Sequence, residues 1–494
     1  MDVDRRGFLK QLGVAATVTA LPVHAQQAAK PDSAADDGQP PLAETLAGYA
    51  NGLRYEDLPP DVVRLAKRMI LDTVGCAFGG YSAGPSQIAI KRAKEVRSRH
   101  PATVLITGTR TSPDLAVFAN GVMIRYLDFN DAFVSFTHGA GHPSDTLAAL
   151  LTAAELRGRS GRDLIAATVV AYETFCKVGD VFDYLGNGID HSTITGMAAV
   201  VGAGPLMGLT NEQIVHAIGI TVGGNTATRQ GRADSLSNWK AYAAADACRK
   251  AIFAAQLAQD GMTGPSKIFE GRYGFFKVMG RKAVAAPRFG EPFGIRRAFT
   301  KRFALGQFSQ TVAQAALEAR PFFKSVSEIE EVHVNVSRSA IKIMADGPDK
   351  WRPQTHETAD HSIPYAAALV LLYGKIEPEY YEDPYLHDAR LLDIVSRIKV
   401  LPSDEADRME HEFNLCELEV VLKSGASKTT RVEYHRGHFK NPMSDAELEE
   451  KFRLMAQRHM RADRVDSLLR LLWNLEDAPK VSAIIAATKV SAGA

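Results

Sequence analysis

Apolar positions recur at helical spacing through the first half of the chain and at alternating spacing through much of the second. Pro59-Pro60-Asp61 opens a segment in which Val62, Val63, Ala66, Met69, Ile70, Thr73 and Val74 share one face. Ser112-Pro113-Asp114 opens a second helix through Leu115, Phe118, Val122 and Ile124, and Pro143-Ser144-Asp145 a third through Leu147, Leu150, Leu151 and Ala154. The run Thr195 to Gly204 is rich in Gly and Ala, which lets helix backbones approach closely inside a large bundle. An Ala-rich helix capped by Ser237-Asn238-Trp239 runs to about Ala258. After about Pro287 the period changes. Ile329, Val332, Val334 and Val336 mix with Glu and His at strand-like intervals, and 398–401, 415–422 and 429–434 add three strands, with a turn at Ser424-Gly425-Ala426-Ser427. Asn441-Pro442-Met443-Ser444-Asp445 then caps a helix from about Ala446, and the tail is helical again. The pattern predicts a mainly α protein, with a large helical domain over 42–286, a smaller α+β domain over 287–435, and a return to the helical domain over 436–494.

The N-terminus stands outside this pattern. Asp4-Arg5-Arg6-Gly7-Phe8-Leu9-Lys10, followed by a moderately apolar run and Val23-His24-Ala25, reads as a twin-arginine export signal cleaved after Ala25. About a dozen apolar residues are too few to span a bilayer. Residues 26–41 are polar and rich in Pro, Ala and Asp, as in a flexible linker. The expected location is the periplasm, with the export machinery as a transient partner and no membrane attachment after cleavage.

Composition narrows the function. With 58 Lys+Arg against 57 Asp+Glu, no surface built for nucleic acid or anionic lipid is expected, and any basic site is local. Cys76, Cys176, Cys248 and Cys416 lie far apart without a C-x-x-C pair, so neither a zinc site nor an iron–sulfur cluster is signalled, and free buried thiols are expected. His138-Gly139-Ala140-Gly141-His142 has metal-ligand spacing, but its glycines and Pro143 oppose a helix, so it reads as a loop delivering His142. Gly202-Ala203-Gly204 follows no strand, and no G-x-S-x-G elbow appears, so dinucleotide and Ser-hydrolase readings fall away.

Chemistry-bearing residues gather at helix starts. His142 precedes the Pro143 helix, and His191 the small-residue helix. Lys240 sits in the first turn of the Ala-rich helix, where the positive end of the dipole disfavours it, so it is expected to serve an anion. Taken singly, a loop histidine is more often structural than catalytic, and most lysines are merely solvated.

A set of ordered segments resembles the MmgE/PrpD family: Asn120-Gly121 with Leu127-Asp128-Phe129-Asn130-Asp131, Gly141-His142-Pro143-Ser144, His191 before Thr195-Gly196, Trp239-Lys240, Asp260 to Pro265, His361-Ser362-Ile363-Pro364-Tyr365, and Asn441 to Ser444 with Lys451-Phe452. The resemblance runs from about Leu42 to Leu472. It implies a large helical domain with an α+β lid, a homodimer, and cofactor-independent lyase chemistry on a small polycarboxylate such as 2-methylcitrate. It implies no metal and no cluster, and puts Asp128, His142, His191, Lys240, Lys301 and Tyr365 in the cleft between the domains. In those roles His142 or His191 is the base or acid, Lys240 and Lys301 hold carboxylates with Arg232 as a third cation, Tyr365 donates or orients, and Asp128 fixes a histidine. The chain departs from the family at Ala132, and after Lys301-Arg302-Phe303, where Ala304, Gly306, Gln307 and Gln310 stand in place of a proline and a following histidine. Decarboxylation, epimerisation and non-catalytic capture of organic acids are the alternatives to dehydration.

Overall fold

In the computed structural model the described residues are 40–490 except 136–138, 234–235, 280–286, 411 and 413. The segments expected to form an export signal and a linker, up to residue 39, and His138 lie outside them.

The helices begin where the capping residues put them. α1 is Leu42–Gly52, α2 Pro60–Gly80, α3 Gly84–Lys94 and α4 Pro113–Arg125, with a two-residue ladder, β1 Ala102–Thr103 against β2 Arg110–Thr111, between the last two. A second short ladder, β3 Phe133–Val134 against β4 Ala140–Gly141, delivers His142, so the expected loop is the end of a hairpin. Pro143–Thr146 then turns as a 3-10 helix before α5, Leu147–Leu156, because Pro143 suits a first turn but the tighter winding persists until the apolar run begins. α6 is Gly161–Val181, α7 Ser192–Met207, α8 Asn211–Gly224 and α9 Trp239–Gln259.

α7 is buried on every face apart from Pro205, which explains its run of small residues. A Cβ on Gly202 would lie 3.0 Å from the Ala167 carbonyl and from the Ala171 side chain, so α6 can approach only because none is there. No helix among the described residues is long and apolar enough to cross a membrane. All four cysteines are buried and unpaired.

Short α10, Phe275–Val278, closes the first region with Phe275 and Phe276 against Phe182, and the second region starts with α11, Ser309–Ala319. A four-stranded sheet follows, in the order β6 (Ile398–Pro402), β5 (Ile329–Val336), β7 (Cys416–Leu422), β8 (Ser427–Val432). β5 and β6 run parallel, and the β5/β7 and β7/β8 pairs antiparallel. The odd step from Ile329 to Val332 is absorbed by a register shift between Ile329 and Glu331, so that Ile329, Val332, Val334 and Val336 all stay buried. β8 starts at Ser427 rather than 429, because Gly425 at φ +84° closes a tight turn from Leu422. Around the sheet lie α12 Arg338–Met344, α13 His356–Ala359, α14 Ile363–Tyr373, α15 Ala389–Ser396 and α16 Asp404–Met409, with α11 packed on β7 and β8.

The chain then returns to the helices: α17 Asp445–Ala456, α18 Ala462–Trp473 and α19 Ser482–Ala487. Ser444 and Glu447 form the reciprocal cap that the sequence predicts. α17 packs on α2, where Lys451 Nζ meets Asp72 at 2.7 Å and also donates to the Phe129 carbonyl at 2.7 Å. This ties the last part of the chain to the residue beside Asp128.

Candidate functional site

A cavity opens where α4, the β4 turn, α7 and the first turn of α9 face the segment before α11, α12 and the turn before α14. Arg125, Asp128, His142, His191, Arg229, Arg232, Lys240 and His361 form its polar side. Leu185, Leu236, Phe308, Ile343 and Met344 form an apolar wall, with Gln307 among them.

Asp128 is the hub. It follows α4 and takes φ +50°, a conformation an L residue adopts at a cost. The turn aims its carboxylate at Arg125 Nη1 (2.9 Å), Lys240 Nζ (3.5 Å), His361 Nε2 (3.3 Å) and, in closest contact, Lys301 Nζ. Burial acts to raise this carboxyl, but Arg125, Lys301 and Lys240 outweigh it and hold it well below the usual carboxylate range. Asp128 is therefore a fixed anion, contacting three cations at once rather than serving one histidine. Lys301, pushed down to about 8 by burial against the pull of Asp128, also donates to the Asp128 carbonyl at 2.8 Å. It lies behind Asp128 and is not among the cavity-lining residues.

Lys240 is paired, which accounts for an ammonium in the first turn of a helix. Its Nζ lies 2.6 and 2.5 Å from the two oxygens of Asp360. Asp128, Asp360 and His361 are the one group of described residues with metal-ligand spacing. The Lys240 ammonium bridges those two carboxylates and supplies the positive charge a cation would bring, so this donor set does not fit a metal.

The two sequence-predicted histidines meet. A Cβ on Gly141 would come within 2.6 Å of Phe175 Cζ and 3.0 Å of His191 Cβ, so glycine lets the hairpin lie on α7. The imidazole centroids are 5.4 Å apart. His142 Nδ1 contacts the Asp131 carbonyl at 2.6 Å and Nε2 contacts Arg125 Nη2 at 2.9 Å. His191 is held more loosely, with Asp190 at 3.7 Å from Nδ1, and Arg232 Nη2 at 3.5 Å and Asp145 at 4.0 Å from Nε2. Burial drives both imidazoles well below their ordinary value, assisted for His142 by Arg125 and opposed for His191 by Asp190. Both are thereby held toward the neutral form. Asp145 moves the other way, lifted by burial to about 7, with Oδ2 lacking a hydrogen-bond partner.

Arg232 grips Asp190 at 2.7 Å, while Arg229, which also lines the cavity, reaches the same carboxylate only at 3.8 Å. Tyr365 is fully buried, donates to the Tyr380 carbonyl at 2.8 Å and is not among the lining residues, so the geometry does not bring its hydroxyl to this cavity. A Cβ on Gly306 would sit 2.6 Å from Met344 Cε and 3.3 Å from His361 Cε1. Where the sequence lacks the family histidine, Met344 and His361 close the space.

Sequence reasoning passed over Arg125, Asp145, Asp190, Arg229, Asp360 and the role of His361. A signal existed for Arg125, a charge in the apolar pattern of α4 three residues before Asp128, and for Asp360-His361, adjacent to the quoted Ser362-Ile363-Pro364 segment.

Fold and cavity together define a helical protein that buries an acid–base constellation between its helices and an α+β region. The chain belongs to the MmgE/PrpD family: residues 44–287 match the MmgE/PrpD N-terminal domain and 303–477 the C-terminal domain. It is 28% identical to cis-aconitate decarboxylase of Homo sapiens over 464 residues, spanning 90% of this chain and 93% of that protein. It is 28% identical to alkylcitrate dehydratase phiI of a fungal species over 437 residues, 80% and 83% of the two chains. It is 27% identical to 2-methylcitrate dehydratase of Escherichia coli over 367 residues, 69% and 73% of the two chains. These relatives are named as lyases.

Proposed function

We propose that the protein is a cofactor-independent lyase that removes a proton beside a carboxylate of a small polycarboxylic acid and expels a neighbouring hydroxyl as water, a dehydratase of the 2-methylcitrate type. The observation that carries the reading is the pair of neutral, buried imidazoles 5.4 Å apart beside Arg125, Lys240 and Arg232. Removing a proton next to a carboxylate creates an enediolate, and cations already fixed beside it stabilise that charge without reorganising. A neutral imidazole is the form that accepts a proton. His142, held by the Asp131 carbonyl, is the base in this reading. His191 relays to the leaving oxygen the proton that the Asp145 carboxyl, lifted to about 7, supplies, so the hydroxyl departs as water and Asp145 is left as the carboxylate. Lys240 and Arg232 hold carboxylates, and the wall of Leu185, Ile343 and Met344 receives the apolar part of the acid. Incubation with citrate, methylcitrate, aconitate isomers, tartrate and malate in deuterated water tests this. Loss of water with label beside a carboxylate is expected. Carbon dioxide release or inversion without elimination would replace dehydration by one of the alternatives.

Two further parts of the reading rest on other features. Export rests on Arg5-Arg6 and the apolar run after them, and Arg5→Lys with Arg6→Lys is expected to leave uncleaved protein in the cytoplasm. A homodimer rests on the family resemblance and on an aromatic stripe along α9, where Trp239 and Phe253 are about half exposed and Tyr242 stacks on Phe118. Sedimentation at micromolar concentration checks it.

A further inference from the structure

His142 has its two nitrogens committed to partners of opposite and unambiguous character. The Asp131 carbonyl, 2.6 Å from Nδ1, can only accept, so Nδ1 carries the hydrogen. The Arg125 guanidinium, 2.9 Å from Nε2, can only donate, so Nε2 presents its lone pair to Nη2. A proton arriving at Nε2 would have to displace that N–H and would set an imidazolium against a guanidinium. The base is thus occupied by a cation.

That cation is not fully used. Arg125 is buried and lines the cavity, and its Nε lies 3.8 Å from Asp145 without a hydrogen bond. Its partner Asp128, at 2.9 Å, is shared with Lys301 and Lys240. A neutral imidazole nitrogen is a weaker acceptor for a guanidinium than a carboxylate, which binds through charge-assisted, often bidentate, bonds.

We propose that Arg125 is a positioning residue that caps the base: it holds the Nε2 lone pair of His142, and a substrate carboxylate that draws the guanidinium away frees that nitrogen to take a proton. This rests on the reading of His142 as the base. Once uncapped, Nε2 accepts the proton as the C–H bond beside the carboxylate breaks, and the bonding pair passes into the carbon–carboxylate system as the enediolate. The imidazolium then keeps Nδ1–H on the Asp131 carbonyl and has Asp128 Oδ1 3.7 Å from Nε2 to offset its charge. Only an acid that brings a carboxylate to Arg125 switches the base on, so the cavity withholds proton abstraction from ligands lacking one.

The test is nitrogen NMR of the full-length protein labelled in histidine, with His142→Gln used only to assign the resonance. Without ligand, His142 is expected to show an Nδ1–H tautomer and to stay unprotonated down to pH 5. Saturation with tricarballylate, a tricarboxylate without a leaving group, is expected to shift its Nε2 resonance and raise its titration midpoint by one unit or more. In ligand-free Arg125→Gln the midpoint is expected to rise by a similar amount, whereas Arg125→Lys, which keeps a donor and a charge, leaves it low. A midpoint unmoved by tricarballylate, or failure of tricarballylate to bind, overturns the cap, and so does an ordinary midpoint in the empty wild-type protein. Should Arg125→Gln not fold, the wild-type titration decides alone. Deuterium exchange separates this from the parent reading: exchange with an unresponsive His142 removes the cap, and a responsive His142 without exchange by any acid removes the lyase reading.

Discussion

His333 and His361 each stand between two carboxylates, and they teach different things. On the sheet, His333 has Glu419 3.1 Å from Nδ1 and Glu331 3.0 Å from Nε2, all three side chains about a quarter to two-fifths exposed. In the cavity, His361 has Asp360 2.8 Å from Nδ1 and Asp128 3.3 Å from Nε2, with both carboxylates buried. The first is a cross-strand network in water, in which hydrogen bonds lower Glu331 and Glu419. In the second, burial and Lys240 push His361 down to about 4 despite its two anions. The residue types match, and the difference is water. A chemical constellation becomes a candidate site when burial leaves its charges to be balanced by one another, because desolvation and the neighbouring charges then decide protonation together.

The sharpest way to break this comparison is to remove a carboxylate from the buried set. Asp128→Asn leaves Arg125, Lys301 and Lys240 facing one another without their shared anion, and should cost ~3–5 kcal/mol in chemical denaturation. A loss below about 1 kcal/mol would mean that the cavity is as well solvated as the sheet. Lys240→Ala follows: with its charge holding both the bound acid and the enediolate, binding and turnover should both fall, turnover by roughly 100-fold. An unchanged KM would show that its task is only to neutralise Asp360.

The next effect is on pH. Glu173 accepts the N–H groups of Gly290 and Gly294, yet burial lifts its carboxyl to about 7. A raised carboxyl favours folding in its protonated form. That contribution is complete below the unfolded value near ~4.3 and is lost as pH rises through about 7. Glu173→Gln should therefore flatten the decline of Tm between pH 5 and pH 8, and a curve parallel to wild type would contradict it. Smallest is the surface counterpart, Glu419→Gln, which should change stability by ~0.5 kcal/mol or less and vanish in high salt.

The same contrast explains what the sequence made legible. Helix starts such as Pro60, Pro113 and Ser444 and the strand alternation of 329–336 are local signals, set by capping and by the period of burial, and the structure keeps them within a residue or two. The cavity was legible where a residue stood against its local rule, as Lys240 does in a first turn. Arg125, a charge in the apolar pattern of α4, was passed over, and Asp360 was missed because it breaks no local rule. Each acquires its meaning from a partner, and Asp360 lies 120 positions from the lysine it neutralises. Tyr365 was expected in the cleft through resemblance, but its hydroxyl is taken by the Tyr380 carbonyl and does not line the cavity.

The central claim is that His142 and His191 are a working proton pair. The direct measurement is deuterium incorporation beside a carboxylate, in wild type and in His142→Ala and His191→Ala, with each acid that calorimetry shows to bind. Exchange with at least one acid is expected in wild type, with a loss of roughly 100-fold or more in the turnover of both variants and affinities within a few-fold of wild type. Unaltered turnover in both variants would contradict the assignment, and binding of acids without any exchange would make the protein a carrier of organic acids rather than an enzyme.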